Sequence, residues 1–351
     1  MAADVGPSRL LAQAESALAE GDASAALAAA DEACRLAPGA VRPLHLRAAA
    51  LSDLGRSDEA REAYRRALGR GGDDLDLLAD AADFLLNRAE PETAREDVEE
   101  AYELARRASR LARDGDPAVA GELALLEGQA LGRLGDPRGA LSRITEARRA
   151  LPGDPGVLVE RALALFELCR FEDADAELEE SLRIAPDDAW AHHARGRVAE
   201  RLGRREEAER SYARARELAP DDFPGPVSLS PEAFEQAVED ALEGLPEPVR
   251  RYLGNVAIAV EDLPAEDELL AADPPLSPSI LGMFRGAPLP HKASMDPWSH
   301  FPSSISLYQR NLEAQARDRE ELVEEIGITL VHEVGHFLGL DEDELWDLGL
   351  A

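Results

Sequence analysis

Residues 190–220 read WAHHARGRVAERLGRREEAERSYARARELAP. Within this stretch Gly203, Ala208, Tyr212, Ala215 and Pro220 mark a pattern that returns every 34 residues. One step back stand Ala174, Leu178, Ser181 and Pro186, and a second step finds Gly135, Ala140, Ile144, Ala147 and Pro152. From the N-terminus the same ruler meets Gly21, Ala26, Ala33 and Pro38, then Gly55, Ala60, Tyr64 and Ala67. Small residues at these stations let a second helix pack closely on a first. The glycine ends the first helix, and the proline closes the unit before the next begins. Units are expected to start near positions 7, 41, 75, 121, 155 and 189. The step from the third to the fourth is 46, which places 12 extra residues around NRAEPETAREDVEE and predicts a longer second helix in the third unit.

This pattern resembles the tetratricopeptide repeat, whose period is about 34 residues. The resemblance implies an all-α superhelix of about six helix pairs over residues 7–222. Its concave face, lined mainly by first helices, would take an extended peptide or a partner helix, so recruitment of a protein or peptide is expected. His45, His192 and His193 fall on first helices, where a groove-lining role competes with that of an ordinary surface histidine. Trp190, Tyr64 and Tyr212 are most simply inter-helix packing residues.

Repeat chemistry stops at Pro220. In the following DDFPGPVSLSP, Ser230-Pro231-Glu232 opens a new helix with an N-cap serine, an N1 proline and an acidic first turn. A second, smaller domain is therefore expected over 229–351. Its elements are a helix over 231–243, strands in NVAIAVED, ILGMFRG and SISLYQRNLE, and a final helix starting near Asp318. Leu322, Ile326, Leu330, Val334 and Phe337 give that last helix an apolar stripe.

The same helix ends in His332-Glu333-Val334-Gly335-His336-Phe337-Leu338-Gly339, followed by Leu340-Asp341-Glu342-Asp343-Glu344. Imidazoles at i and i+4 lie one turn apart on one face and can close on a single metal ion, and the intervening glutamate can take a proton from water. His332 and His336 are thus candidate Zn2+ ligands and Glu333 the candidate catalytic residue. Gly339 supplies a left-handed stop that lets the chain turn back, so that a later carboxylate can face the same ion.

Residues 231–351 resemble the minimal zincin-like metallopeptidase domain of bacteria, through PEAFEQAVEDALEGLP, NVAIAVED, ILGMFRGAPL, SISLYQRNLE and HEVGHFLGLDEDEL. The motif is also similar to the metzincin form H-E-x-x-H-x-x-G-x-x-H/D. In that register the third ligand falls on Glu342, a departure from histidine or aspartate that leaves Asp341 as its rival. The resemblance implies a small α+β fold, a zinc cofactor and peptide hydrolysis. Glu333 would accept a proton from water and pass it to the leaving amine. SISLYQR is the candidate sheet edge for aligning substrate, and Tyr308, His291 and His300 are candidate oxyanion donors beside simpler surface or packing roles.

Composition narrows the partners. Formal net charge is −33, with 31 basic and 46 acidic residues over 1–222 and 7 and 25 over 223–351. Neither part offers the basic stripe that neutralises phosphates, so neither nucleic acid nor an anionic membrane is expected as a partner. No apolar run approaches the ~18 residues of a membrane span. Cys34 and Cys169 are far apart in sequence and fit a reducing, cytoplasmic location better than a disulfide. Two functions follow: a zinc peptidase with a recruiting repeat array, or a non-catalytic scaffold carrying a zinc-stabilised zincin-like appendage.

Overall fold

A computed structural model of the chain describes residues 6–88, 95–112, 115–225, 227–254, 256–286, 303–341 and 344. Helices come in pairs where the repeat predicts them: α1 Pro7–Ala19 with α2 Ala23–Leu36, and α3 Val41–Asp53 with α4 Ser57–Leu68. Next come α5 Leu75–Asp83 with α6 Arg95–Leu111, and α7 Pro117–Arg133 with α8 Pro137–Ala150. The last pairs are α9 Pro155–Glu167 with α10 Phe171–Ile184, and α11 Ala189–Arg201 with α12 Arg205–Leu218. Gly21, Gly55, Gly135 and Gly203 end first helices at φ 76°, 68°, 80° and 71°, in the left-handed region that glycine enters without a Cβ clash. Cys169 occupies the same station with φ 55° and is the one non-glycine residue at positive φ among the described residues. Asp22, Asp136 and Asp188 cap the helices that follow them by accepting backbone N–H bonds from Ala25, Gly139 and Ala191.

The extra residues of the third unit are shared between neighbours. Both α6 and α7 reach 17 residues, against 12 to 14 in α1–α4. The 9-residue α5 runs into a π-helical turn, Phe84–Arg88. That turn breaks the regular ladder, and the carbonyl of Leu86 accepts a hydrogen bond from the Arg133 guanidinium of α7. His45, expected at the surface, is instead 2% exposed, with Nε2 2.6 Å from Asp80 Oδ2, and so ties the first helix α3 to the first helix α5.

Contacts divide the chain into two compact units. One comprises Met1–Leu165 with Asp173–Pro186, and the other Phe166–Glu172 with Asp187–Ala351. The second unit therefore contains α11 and α12 as well as everything beyond the prolines at 224–231. Its C-terminal elements are α13 Pro231–Gly244, α14 Glu247–Leu253, β1 Ala257–Glu261, α15 Glu266–Leu269, β2 Gly282–Arg285, β3 Ser304–Tyr308, α16 Gln309–Gln315 and α17 Arg319–Leu338. The sheet order is β1-β3-β2, with β1 parallel and β2 antiparallel to β3. SISLYQR therefore does not form an edge: β3 is the central strand, and the chain turns helical at Gln309, earlier than its β-rich sequence suggested.

The two faces of this sheet are chemically different. Ile305 and Leu307 point into an apolar core with Phe234 and Val238 of α13 and with Leu322, Ile326, Leu330, Val334 and Phe337 of α17. Strand alternation turns Ser306 and Tyr308 to the other face, where Arg285 bonds Glu261 at 2.8 Å and Glu268 at 2.6 Å and also reaches Ser306. Residues of α11 attach to the segments around this polar face. Arg197 donates to Ser279 Oγ at 2.5 Å, Arg201 donates to the carbonyl of Pro264 at 2.7 Å, and Glu200 pairs with Arg310 at the start of α16. The positions 197, 200 and 201 share one helix face. Phe166 and Phe171 lie under the guanidinium groups of Arg197 and Arg201, at 4.5 Å and 5.3 Å.

Two outcomes are expected from this packing. Reversing one charge, as in Glu200→Arg or Arg310→Glu, should lower unfolding stability by about 2 kcal/mol. The double reversal should recover at least half of that in urea titrations, whereas additive losses would show that the two side chains are not coupled. His193 stacks on Phe223 at 4.7 Å, and its burial together with Arg197 pushes its pKa down from 6.5 to about 4. The folded state then binds fewer protons than the unfolded state below pH 6.5. Stability should be lost as pH falls from 6.5 towards 4, by up to about 3 kcal/mol. His193→Gln should flatten that part of the pH–stability curve.

Candidate active site

The final helix, α17, is built to hold its end still. Asp318 caps it by accepting from the backbone N–H groups of Glu320 and Glu321 at 2.9 Å and 3.0 Å. The apolar stripe fixes its rotation against the sheet and α13. Gly339, at φ 91°, stops it, and Leu340 N–H then donates to Gly335 O at 3.1 Å. This turn brings the carbonyl of Leu340 within 3.2 Å of His336 Nδ1. A carbonyl only accepts, so Nδ1 carries the proton and a neutral ring keeps its Nε2 lone pair.

That Nε2 faces its partner one turn away. His332 Nε2 and His336 Nε2 are 3.1 Å apart, with ring centroids 4.8 Å apart and planes at 84°. Two nitrogens bound to one zinc at about 2.0–2.1 Å and tetrahedral angles stand about 3.3 Å from one another. The pair therefore fits zinc in spacing, in the half-buried setting of both rings and in the tautomer fixed on His336. Glu333 is 5% exposed and lies against β2 at Gly282.

Among the described residues no group of three His, Cys, Asp or Glu side chains collects around one point. Asp341 Oδ1 accepts the N–H of Glu344 at 2.9 Å while Glu344 Oε2 accepts the N–H of Asp341 at 3.0 Å, the reciprocal bonding of a capping box. Glu342 lies outside the described residues, as do His291 and His300. Tyr308 is fully buried, and its hydroxyl is 3.4 Å from Arg285 Nη2. Burial pushes its phenol up to about 12, the nearby carboxylates Glu268, Glu261 and Glu333 adding to the rise and Arg285 opposing it, so it stays neutral at working pH. It belongs to the polar layer of the sheet, beside Arg285.

Two features escaped the sequence. The Leu340 carbonyl orients His336, and backbone groups carry no residue-type signal. Gly282 did carry one, because a glycine inside a strand marks close approach by another group. Tyr308 N–H donates to Leu281 O at 2.9 Å, and antiparallel alternation from that bond turns the backbone groups of Gly282 and Phe284 away from β3. Among the described residues no strand pairs with that edge.

Comparison with known proteins agrees with both parts. Residues 253–350 match the sequence model of the zincin-like metallopeptidase family. Residues 41–70, 133–198 and 189–222 match tetratricopeptide-repeat models. The solved structure of the type IV pilus biogenesis factor PilW is similar over 61% of this chain and 94% of its own, at 20% identity and TM-score 0.52. PilF of Pseudomonas aeruginosa is similar over 66% and 96%, at 18% identity and TM-score 0.50. The Cut9–Hcn1 hetero-tetramer of the APC/C is similar over 63% and 41%, at 15% identity and TM-score 0.53. At such identities the likeness is one of fold. No curated protein matches the sequence. The chain carries tetratricopeptide repeats followed by a zincin-like metallopeptidase domain.

Proposed function

We propose that this chain is a zinc-dependent peptidase whose repeats recruit a protein or peptide. The observation that carries this reading is the convergence of His332 Nε2 and His336 Nε2 to 3.1 Å, beside a buried Glu333, in a zincin-like domain. His332 and His336 would hold the ion. Glu342 is the favoured third ligand, since the Asp341 carboxylate is engaged as a cap. Zinc at this point would polarise the substrate carbonyl and make water more acidic. Glu333 accepts the proton and returns it to the leaving amine, which its place between the two ligands allows.

The outward backbone groups of Gly282 and Phe284 on β2 are suited to pairing with an extended substrate by strand addition. Recruitment is supported by the tetratricopeptide-repeat matches, and a polar ladder links successive first helices. Asn87, after α5, donates to Gln129 of α7 at 3.4 Å, and Gln129 donates to Glu160 of α9 at 2.8 Å. The strongly acidic composition favours peptides bearing positive charge. Two free cysteines fit a reducing, cytoplasmic setting, and among the described residues no helix is long and apolar enough to cross a membrane.

Hydrolysis of a mixed peptide library tests the proposal. Wild-type chain loaded with zinc should cleave, and Glu333→Gln should lower kcat by about 100-fold or more. Zinc retained without any cleavage by the wild type would support the scaffold reading instead.

A further inference from the structure

The strand β2 lies close against the helix α17 at Gly282. A Cβ built on Gly282 would lie 2.7 Å from Thr329 Cγ2 and 3.3 Å from both Cγ and Oε1 of Glu333. Thr329 and Glu333 are one turn apart on α17 and are 6% and 5% exposed, so neither can swing into solvent to make room. The backbone of Gly282 is not left-handed, whereas Gly286 at the end of the same strand has φ 138°. Conformational freedom therefore explains Gly286 and does not explain Gly282. Space does: the strand passes so near the helix that a Cβ would collide with the Thr329 methyl group.

We propose that Gly282 is a positioning residue for Glu333, a role that rests on Glu333 being the proton acceptor. The missing side chain lets the carboxylate lie directly against β2, at a residue whose backbone groups face away from β3. Thr329 forms the second wall. It is β-branched and stiff at χ1, so its methyl group holds the neighbouring turn of α17 at a fixed distance from the strand. Glu333 is thereby seated beside the extended chain whose amide it serves, and its placement is set by a contact between strand and helix. A carboxylate displaced by a few tenths of an ångström to one ångström from its water loses rate while substrate pairing along the strand survives.

The test uses the full chain in four forms: wild type, Gly282→Ala, Thr329→Ser, and the double variant. Gly282→Ala should lower kcat at least about ten-fold with KM changed less than three-fold and zinc per chain unchanged. Adding Thr329→Ser, which removes the methyl met at 2.7 Å, should restore about half of the lost logarithm of kcat. A second readout needs neither zinc nor turnover. The carboxyl carbon resonance of Glu333 in the metal-free protein at pH 7, assigned by its absence in Glu333→Gln, should move in Gly282→Ala and return towards its wild-type position in the double variant. If Gly282→Ala does not fold, the comparison passes to the double variant against Thr329→Ser, where kcat should still be at least three-fold lower because the 3.3 Å approach to Glu333 remains.

Unchanged kcat in Gly282→Ala, or an unmoved Glu333 resonance, would overturn the proposal. So would equal kcat in the double variant and Thr329→Ser. Failure of the peptidase reading looks different: the wild type would not cleave, or Glu333→Gln would cleave equally well, while the resonance shift would still report the steric contact.

Discussion

Two imidazoles four residues apart on a helix can share a metal only if that helix cannot rotate or fray, and the C-terminal domain is arranged around this requirement. The apolar stripe of α17, from Leu322 to Phe337, is buried against Ile305 and Leu307 of the sheet and Phe234 and Val238 of α13. Burial of that stripe sets the rotation of the helix, and rotation sets where His332 and His336 point. The free end of the helix would fray without Gly339, whose left-handed turn returns the Leu340 carbonyl to His336 Nδ1. One short segment thus stops the helix, fixes a tautomer and aims a lone pair.

The three-stranded sheet mediates between two environments. Its inner face is aliphatic and supports α17. Its outer face holds Ser306, Tyr308, Glu261 and Arg285 in one bonded cluster. A sheet this small cannot bury a charged face by itself. Arg197, Glu200 and Arg201 of α11 bond to the segments that flank it, so the first helix of the last repeat acts as a supporting layer for the elements that follow. Cys169, which takes a glycine station at positive φ, lies in the same unit, with its sulfur 3.9 Å from the Leu276 carbonyl. The repeat pattern thus departs from its own rule in the turn that touches the loop leading to β2.

The repeats and the helix of the motif were legible because both are local periodicities. A step of 34 residues, a stripe at three-four spacing and an i,i+4 histidine pair are each written in one stretch of chain. Strand order was not legible, because the pairing of β3 between β1 and β2 depends on contacts between residues far apart. That is why SISLYQR was read as an edge when it is the centre. Burial of individual polar residues was also hidden. His45 and Tyr308 look like surface or site residues in sequence, yet each is buried and contacts a polar partner on another element, Asp80 and Arg285 respectively. The turn that caps α13 was read correctly from Ser230-Pro231-Glu232, since capping is decided within four residues.

Metal stoichiometry tests the central claim most directly. Purified full-length chain stripped of metal and titrated with zinc should bind one equivalent, and cobalt in its place should give the intense visible bands of a tetrahedral site. His336→Ala should abolish both, while Asp341→Asn should leave both in place. Equal binding by wild type and His336→Ala, or no binding by either, would contradict the assignment of this helix as a metal site.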